Sequence, residues 1–257
     1  MSSCKIIIST PCYDAMMTMQ YTMSLLNLVQ ELNKNKIEFV IDFIGNESLI
    51  PRARNTSLGR FIKSNFTHLL FIDSDIEFSP EAVLDFIKFD KDVVCGVYAK
   101  KCYNWNRLIY SMQTEQNSNE NLCSRGLDFN YNIDSKKIIK NGKFIKAKHA
   151  STGFMLIKKE IIDKLCDVHK ELLIKPDNLS NNNDEIYGLF CCMIKNKTYL
   201  SEDYSFCERV SDIGGEIWIN IYHNLNHIGK HVFQSDIRNR QKLIRTQEEK
   251  TIYNFTE

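Results

Sequence analysis

The first hundred residues alternate between short apolar runs and segments with helical spacing, and no other feature constrains the fold as much. Residues 5–9 read as a buried strand, broken by Thr10-Pro11-Cys12-Tyr13-Asp14. Residues 16–32 then carry apolar side chains at helical intervals. A second strand covers 37–44 and closes at Gly45-Asn46. Residues 50–66 follow as a helix, with Pro51 suited to its first position. His68–Ile72 is apolar throughout its last four residues, as expected of a strand covered on both faces. A further helix starts after Ser79, and 92–97 forms a fourth strand. Such alternation predicts an α/β fold around a mainly parallel central sheet flanked by helices.

Beyond residue 100 the pattern weakens. Residues 100–148 are rich in Asn, Ser, Lys and Tyr and predict loops with short antiparallel strands. A strand resumes at 153–158 and a helix at 159–169, followed by an Asn-rich loop over 175–197. Residues 201–213 predict a helix, 216–221 a strand, and 235–253 a charged terminal helix or tail. Only ten Gly and four Pro occur in 257 residues, which argues against linkers and for one large domain over 1–233, with 234–257 appended.

Lys plus Arg number 33 and Asp plus Glu 32, so the net charge of +1 gives no support for a nucleic-acid binder. The N-terminal apolar group Ile6-Ile7-Ile8 is too short for a signal peptide, and no run approaches a membrane span. A cytoplasmic protein is expected. Nine cysteines without a Cys-x-x-Cys pair read as reduced, mostly buried thiols.

The sharpest chemical feature is Asp73-Ser74-Asp75, directly after the apolar third strand. In open α/β sheets that end of a strand is where ligands bind. Carboxylates at positions i and i+2 of an extended segment share a face, and a divalent cation relieves their repulsion. His227-Ile228-Gly229 could add an imidazole nitrogen, whereas His223 and His231 are weaker candidates. Ser201-Glu202-Asp203 opens a predicted helix. Ser201 is placed as its N-cap, and one acid is a candidate general base, Asp203 facing the cleft and Glu202 pointing elsewhere. Pro51-Arg52-Ala53-Arg54-Asn55 could hold a nucleotide or its phosphates, or simply form a solvated helix start.

Together these stretches resemble the GT-A-fold glycosyltransferases related to family 2, of the type found in large DNA viruses, phages and bacteria. Ser9-Thr10-Pro11-Cys12-Tyr13 and residues 150–157 (Ala-Ser-Thr-Gly-Phe-Met-Leu-Ile) complete the set, which runs in the family's order over roughly 4–233. The resemblance implies a Rossmann-like nucleotide-binding half over about 1–100. It implies an acceptor and catalytic half over 101–233, with a small antiparallel acceptor-side region. Thr10, Pro11 and Tyr13 would line the nucleoside pocket, and Arg52 and Asn55 would contact the nucleotide. Asp73, Ser74 and Asp75 would meet the donor, with Mn²⁺ or Mg²⁺ held by Asp73, Asp75 and His227. Thr152 and Gly153 would shape the sugar site, and Asp203, beside Glu202, would be the base of an inverting reaction. The implied activity is transfer of a sugar from a nucleoside diphosphate donor, expected to be UDP-linked, to a glycan, protein or lipid hydroxyl. Rival readings are a retaining enzyme and an inactive nucleotide-sugar or glycan-binding protein. A sugar-phosphate nucleotidyltransferase would need a Gly-rich loop after the first strand, which residues 10–14 lack.

Overall fold

The computed structural model describes residues 4–114, 122–134, 136–175 and 185–230. The expected terminal helix or tail and His231 lie outside them. Seven strands dominate: β1 (Lys5–Cys12), β2 (Glu38–Gly45), β3 (His68–Ile72), β4 (Val93–Tyr103), β5 (Phe144–Ala147), β6 (Phe154–Lys158) and β7 (Ile217–His227). They lie in one ten-stranded sheet in the order 2-1-3-6-4-7-5, completed by the short strands Ile76–Glu77, Leu127–Phe129 and Lys140–Asn141. Strands β1, β2 and β3 pair in parallel, as do β4 and β7. Strand β6 runs antiparallel between β3 and β4, and β5 antiparallel beside β7. The mainly parallel α/β sheet is therefore present, with one reversed strand threaded through its centre.

Alternate residues of the central strands feed two cores. On one face Ile6, Ile8, Leu70 and Ile72 pack under α1 (Met19–Lys34) and α3 (Pro80–Phe89). On the other, Ile7, Leu69 and Phe71 pack under α2 (Ile50–Ile62), α5 (Lys159–Val168) and α6 (Glu202–Asp212). The remaining long helix, α4 (Trp105–Thr114), falls where loops were expected. It is amphipathic, but its apolar side is mostly exposed, so its composition reads like a loop.

Several boundaries move for physical reasons. Strand β1 continues through Thr10, Pro11 and Cys12, which pair only with β2. The missing N–H of Pro11 therefore breaks no ladder on the β3 side. Strand β7 runs on to His227, where Asn226 and His227 pair with Glu77 and Ile76. Helix α2 stops at Ile62, and β4 extends to Tyr103. The eight cysteines whose side chains are described are all free thiols, four of them buried. Asn55, within an Asn-Thr-Ser glycosylation pattern, is buried, which closes that site. Among the described residues, no helix is long and apolar enough to cross a membrane.

Candidate active site

Asp73 leaves β3 where β6 begins, and its N–H donates to the Gly153 carbonyl (2.9 Å). The chain then turns, Ile76 N–H closing on the Asp73 carbonyl (3.1 Å). Thr18, the N-cap of α1, holds the turn from one side through its N–H (3.0 Å) and hydroxyl (3.2 Å) to the Ser74 carbonyl. Ile228 N–H holds it from the other, donating to the Asp75 carbonyl (2.8 Å). The segment is thus a clamped turn rather than an extended one, and its two carboxylates face different partners.

Asp73 accepts from Arg54 Nη2 (3.1 Å). Arg54 comes from the first turns of α2, and its side chain is 4% exposed. Its Nε stands 3.5 Å from Glu202 Oε1, too poorly aligned for a hydrogen bond, and Nη1 is buried without a partner among the described residues. Burial pushes the Glu202 carboxyl above its usual range, with Arg54 opposing. Glu202 therefore faces the Arg54–Asp73 pair, against the expectation that it points away.

Asp75 meets Lys101 Nζ at one oxygen and His227 Nε2 at the other, the latter at 3.5 Å. Burial works against its charge, but His227 and Lys101 outweigh it and hold the carboxyl below the usual range. His227 Nδ1 lies 2.8 Å from the Ala99 carbonyl, which can only accept. A proton on Nδ1 is therefore given to that carbonyl, and Nε2 is the ring nitrogen that faces Asp75.

Behind these groups stands Tyr98 on β4. Its hydroxyl accepts from Gly153 N–H (3.1 Å), and its ring meets His227 edge-on at 5.1 Å. Burial, helped by the nearby Asp73 charge, keeps its hydroxyl protonated. A Cβ on Gly153 would come within 2.2 Å of that hydroxyl and 2.6 Å of Asp73 Oδ2, so only glycine fits.

A cavity of about 230 Å³ at this sheet edge is lined by Pro11, Tyr13, Asp73, Ser74, Asp75 and His227, with Glu47, Ser48 and Ile50. Tyr13 is 65% exposed at its mouth. The other expected contact residues are not part of its lining. Thr10 is buried, bonded to the Tyr21 hydroxyl at 2.5 Å. Arg52 is committed to Glu47 through Nε (2.6 Å) and Nη2 (2.9 Å). Asn55 is a structural clamp, accepting from Phe190 N–H (2.8 Å). Thr152 is buried with its hydroxyl unpartnered among the described residues. Asp203 accepts from the Ser201 hydroxyl and from Tyr204 N–H (2.8 Å), so Ser201 caps no backbone group. His223 belongs to a structural pair with Asp85 (2.7 Å).

No protein-family model and no curated protein matches the chain. Among solved structures it is similar to the inositol-1-phosphate CTP transferase from T. maritima, at 10% identity and a TM-score of 0.42, covering 98% of this chain and 99% of that one. It is also similar to GalNAc-T7 with UDP, GalNAc and Mn²⁺, at 10% identity and a TM-score of 0.44. That likeness covers 94% of this chain and 47% of the other. At such scores neither likeness carries weight for function.

Among the described residues no three His, Cys, Asp or Glu side chains stand together as a metal cage. The donors nevertheless suit one. Asp75 offers oxygen, and the Ala99 carbonyl fixes the ring nitrogen that His227 presents beside it, an arrangement usual for metal-binding imidazoles. Tyr98 and Lys101 escaped the sequence reading, while Arg54 entered it only within the 51–55 stretch as a candidate phosphate contact. Each acts through a partner remote in sequence.

Proposed function

We propose that the protein is a metal-dependent glycosyltransferase. It would move a sugar from a UDP-linked donor to a hydroxyl of a glycan, protein or lipid acceptor, with inversion. One observation carries the reading: a single cavity gathers Pro11, Tyr13, Asp73, Ser74, Asp75 and His227 from three separate stretches of the chain. Each has a donor-binding role that its chemistry suits. Tyr13 offers an exposed ring to the base. Asp75 and His227, with Asp73 nearby, would hold Mn²⁺ or Mg²⁺, which when bound supplies positive charge against the leaving diphosphate. Gly153 lets Asp73 keep its place beside this cavity, since any side chain there would collide with Tyr98 and Asp73.

In this mechanism the acceptor oxygen bonds to the anomeric carbon as the carbon–oxygen bond to the diphosphate breaks. Asp203 takes the acceptor proton, and UDP leaves with the bonding electrons. Glu202 and Arg54 are positioning residues that fix Asp73 and the start of α6. The test is thermal unfolding with UDP, in Mn²⁺ or in EDTA. UDP should raise Tm by several degrees more with Mn²⁺ than with EDTA, since stabilisation follows RT ln(1 + [L]/Kd). Asp75→Asn should abolish that difference while the protein alone stays folded. An equal shift in both buffers would refute metal-dependent donor binding.

A further inference from the structure

A second, larger cavity of about 650 Å³ opens on the other side of His227. Its lining includes Lys100, Lys101, Lys230, Tyr103 and Trp105 together with His227, and no Asp or Glu. Lys101 spends its charge on Asp75, its stem passing over Gly229, where a Cβ would come within 2.7 Å of Lys101 Cδ. Lys100 and Lys230 have no ion-pair partner among the described residues. Among the described residues the cavity is therefore positive and unbalanced.

Its wall also offers a built aromatic surface. Trp105 is 58% exposed, with its ring 5.2 Å from that of Tyr103 and tilted by 31°. The start of α4 holds it in place. The Asn104 side chain accepts from Arg107 N–H (3.0 Å), and Asn104 N–H donates to the Gly126 carbonyl (2.7 Å). Arg107 in turn bonds the Arg125 carbonyl (2.8 Å) and Asp128 (2.7 Å). An exposed indole on a braced helix start presents a flat apolar face, while the ammonium groups beside it select negative charge.

We propose that this cavity binds an anionic saccharide, bearing phosphate or carboxylate, with one sugar face on Trp105 and its charge on Lys100 and Lys230. Resting on the glycosyltransferase reading, this ligand is the acceptor, whose hydroxyl reaches the donor past His227. The binding itself does not depend on that reading.

The chain has two tryptophans, and Trp218 is buried, so changes in exposed indole emission report Trp105. Titration should show glucose 6-phosphate or glucuronate binding at least tenfold more tightly than glucose or inorganic phosphate, and more weakly as salt rises. Combining Lys100→Ala with Lys230→Ala should weaken that binding at least tenfold and leave the Mn²⁺-dependent shift with UDP unchanged. Glucose binding as tightly as glucose 6-phosphate would overturn the proposal, as would unaltered binding in the double variant. A response only to phosphatidylglycerol vesicles would also overturn it, marking the patch as a lipid-facing surface. Anionic-sugar binding without any UDP effect would instead leave this site standing and remove the donor assignment.

Discussion

The region up to residue 100 and the region after it both deliver acidic side chains to the same sheet edge, by different means. In the first, β1 and β3 are buried in two apolar cores, and Asp73 follows a strand whose position is set by burial of Leu69 to Ile72. In the second, the helix carrying Glu202 and Asp203 is also held by polar contacts. Glu208 on α6 meets His149 (2.7 Å), Lys195 (2.7 Å) and Lys148 (3.3 Å), and Tyr204 stacks on His149 at 4.6 Å. Apolar burial is tolerant and non-directional, whereas such a network depends on each partner. The region up to residue 100 should therefore be robust, and the region after it sensitive.

The largest expected effect breaks chemistry without breaking binding. Asp203→Asn keeps the shape at the start of α6 but removes the basic carboxylate. Transfer should fall by at least about 100-fold with UDP affinity within a few-fold of the original, because a general base acts mainly in the reaction step. Glu202→Gln should cost less, since it loosens Arg54 rather than removing the base. If Glu202→Gln alone abolishes transfer, the raised carboxyl facing Arg54 is the base and the roles reverse.

Gly153→Ala attacks the junction of the two regions, where β6 crosses between β3 and β4. Its methyl would displace the Tyr98 hydroxyl and Asp73, so UDP binding should weaken by roughly tenfold and Tm should fall, as expected of overpacking by about 1–3 kcal/mol. Tyr98→Phe in the same chain removes the closest clashing atom and should restore part of both. No rescue would mean that Asp73 alone sets the limit.

His227→Ala should be milder, weakening UDP binding in Mn²⁺ by several-fold, whereas His223→Ala should leave it unchanged and slightly lower Tm. His223 is tied to Asp85 away from the cavity, so equal effects of the two would strip His227 of its ligand role.

The same contrast explains what could be read from the chain. Strands β1 and β3 were legible because burial within the sheet demands continuous apolar residues. The Asp73 turn was legible because it follows one of them. Helix α4 was not, because its apolar side is largely exposed and its start is fixed by Asn104 and Arg107 contacts with the 125–128 segment. The end of β7 was not, because a two-residue pairing with Ile76–Glu77 carries it past a polar stretch. Nor was the fate of Arg52 and Asn55. Whether a helix-start side chain meets a nucleotide, Glu47 or Phe190 depends on what the fold brings opposite it, and spacing alone contains no such information.

The smallest effect expected is one of pH, and it tests the comparison itself. Burial raises the Glu208 carboxyl, but Lys195, His149 and Lys148 outweigh it and hold the pKa down at about 2, against 4.5 for the free group. A carboxyl depressed on folding contributes stability above its unfolded value and loses it as the pH falls through the folded one. The contribution of Glu208 should thus be complete above about pH 4.5 and fade between there and about pH 2. Urea midpoints across that window should fall, by an amount on the order of 1 kcal/mol attributable to this group. Glu208→Gln should be less stable at neutral pH and show a shallower decline in acid. Hydrogen exchange should place the early loss in α6 and the 193–200 hairpin, with β1 and β3 still protected. Simultaneous loss of protection in both regions would show that the polar network and the apolar cores unfold as one unit, and the contrast in robustness between the two halves would fall.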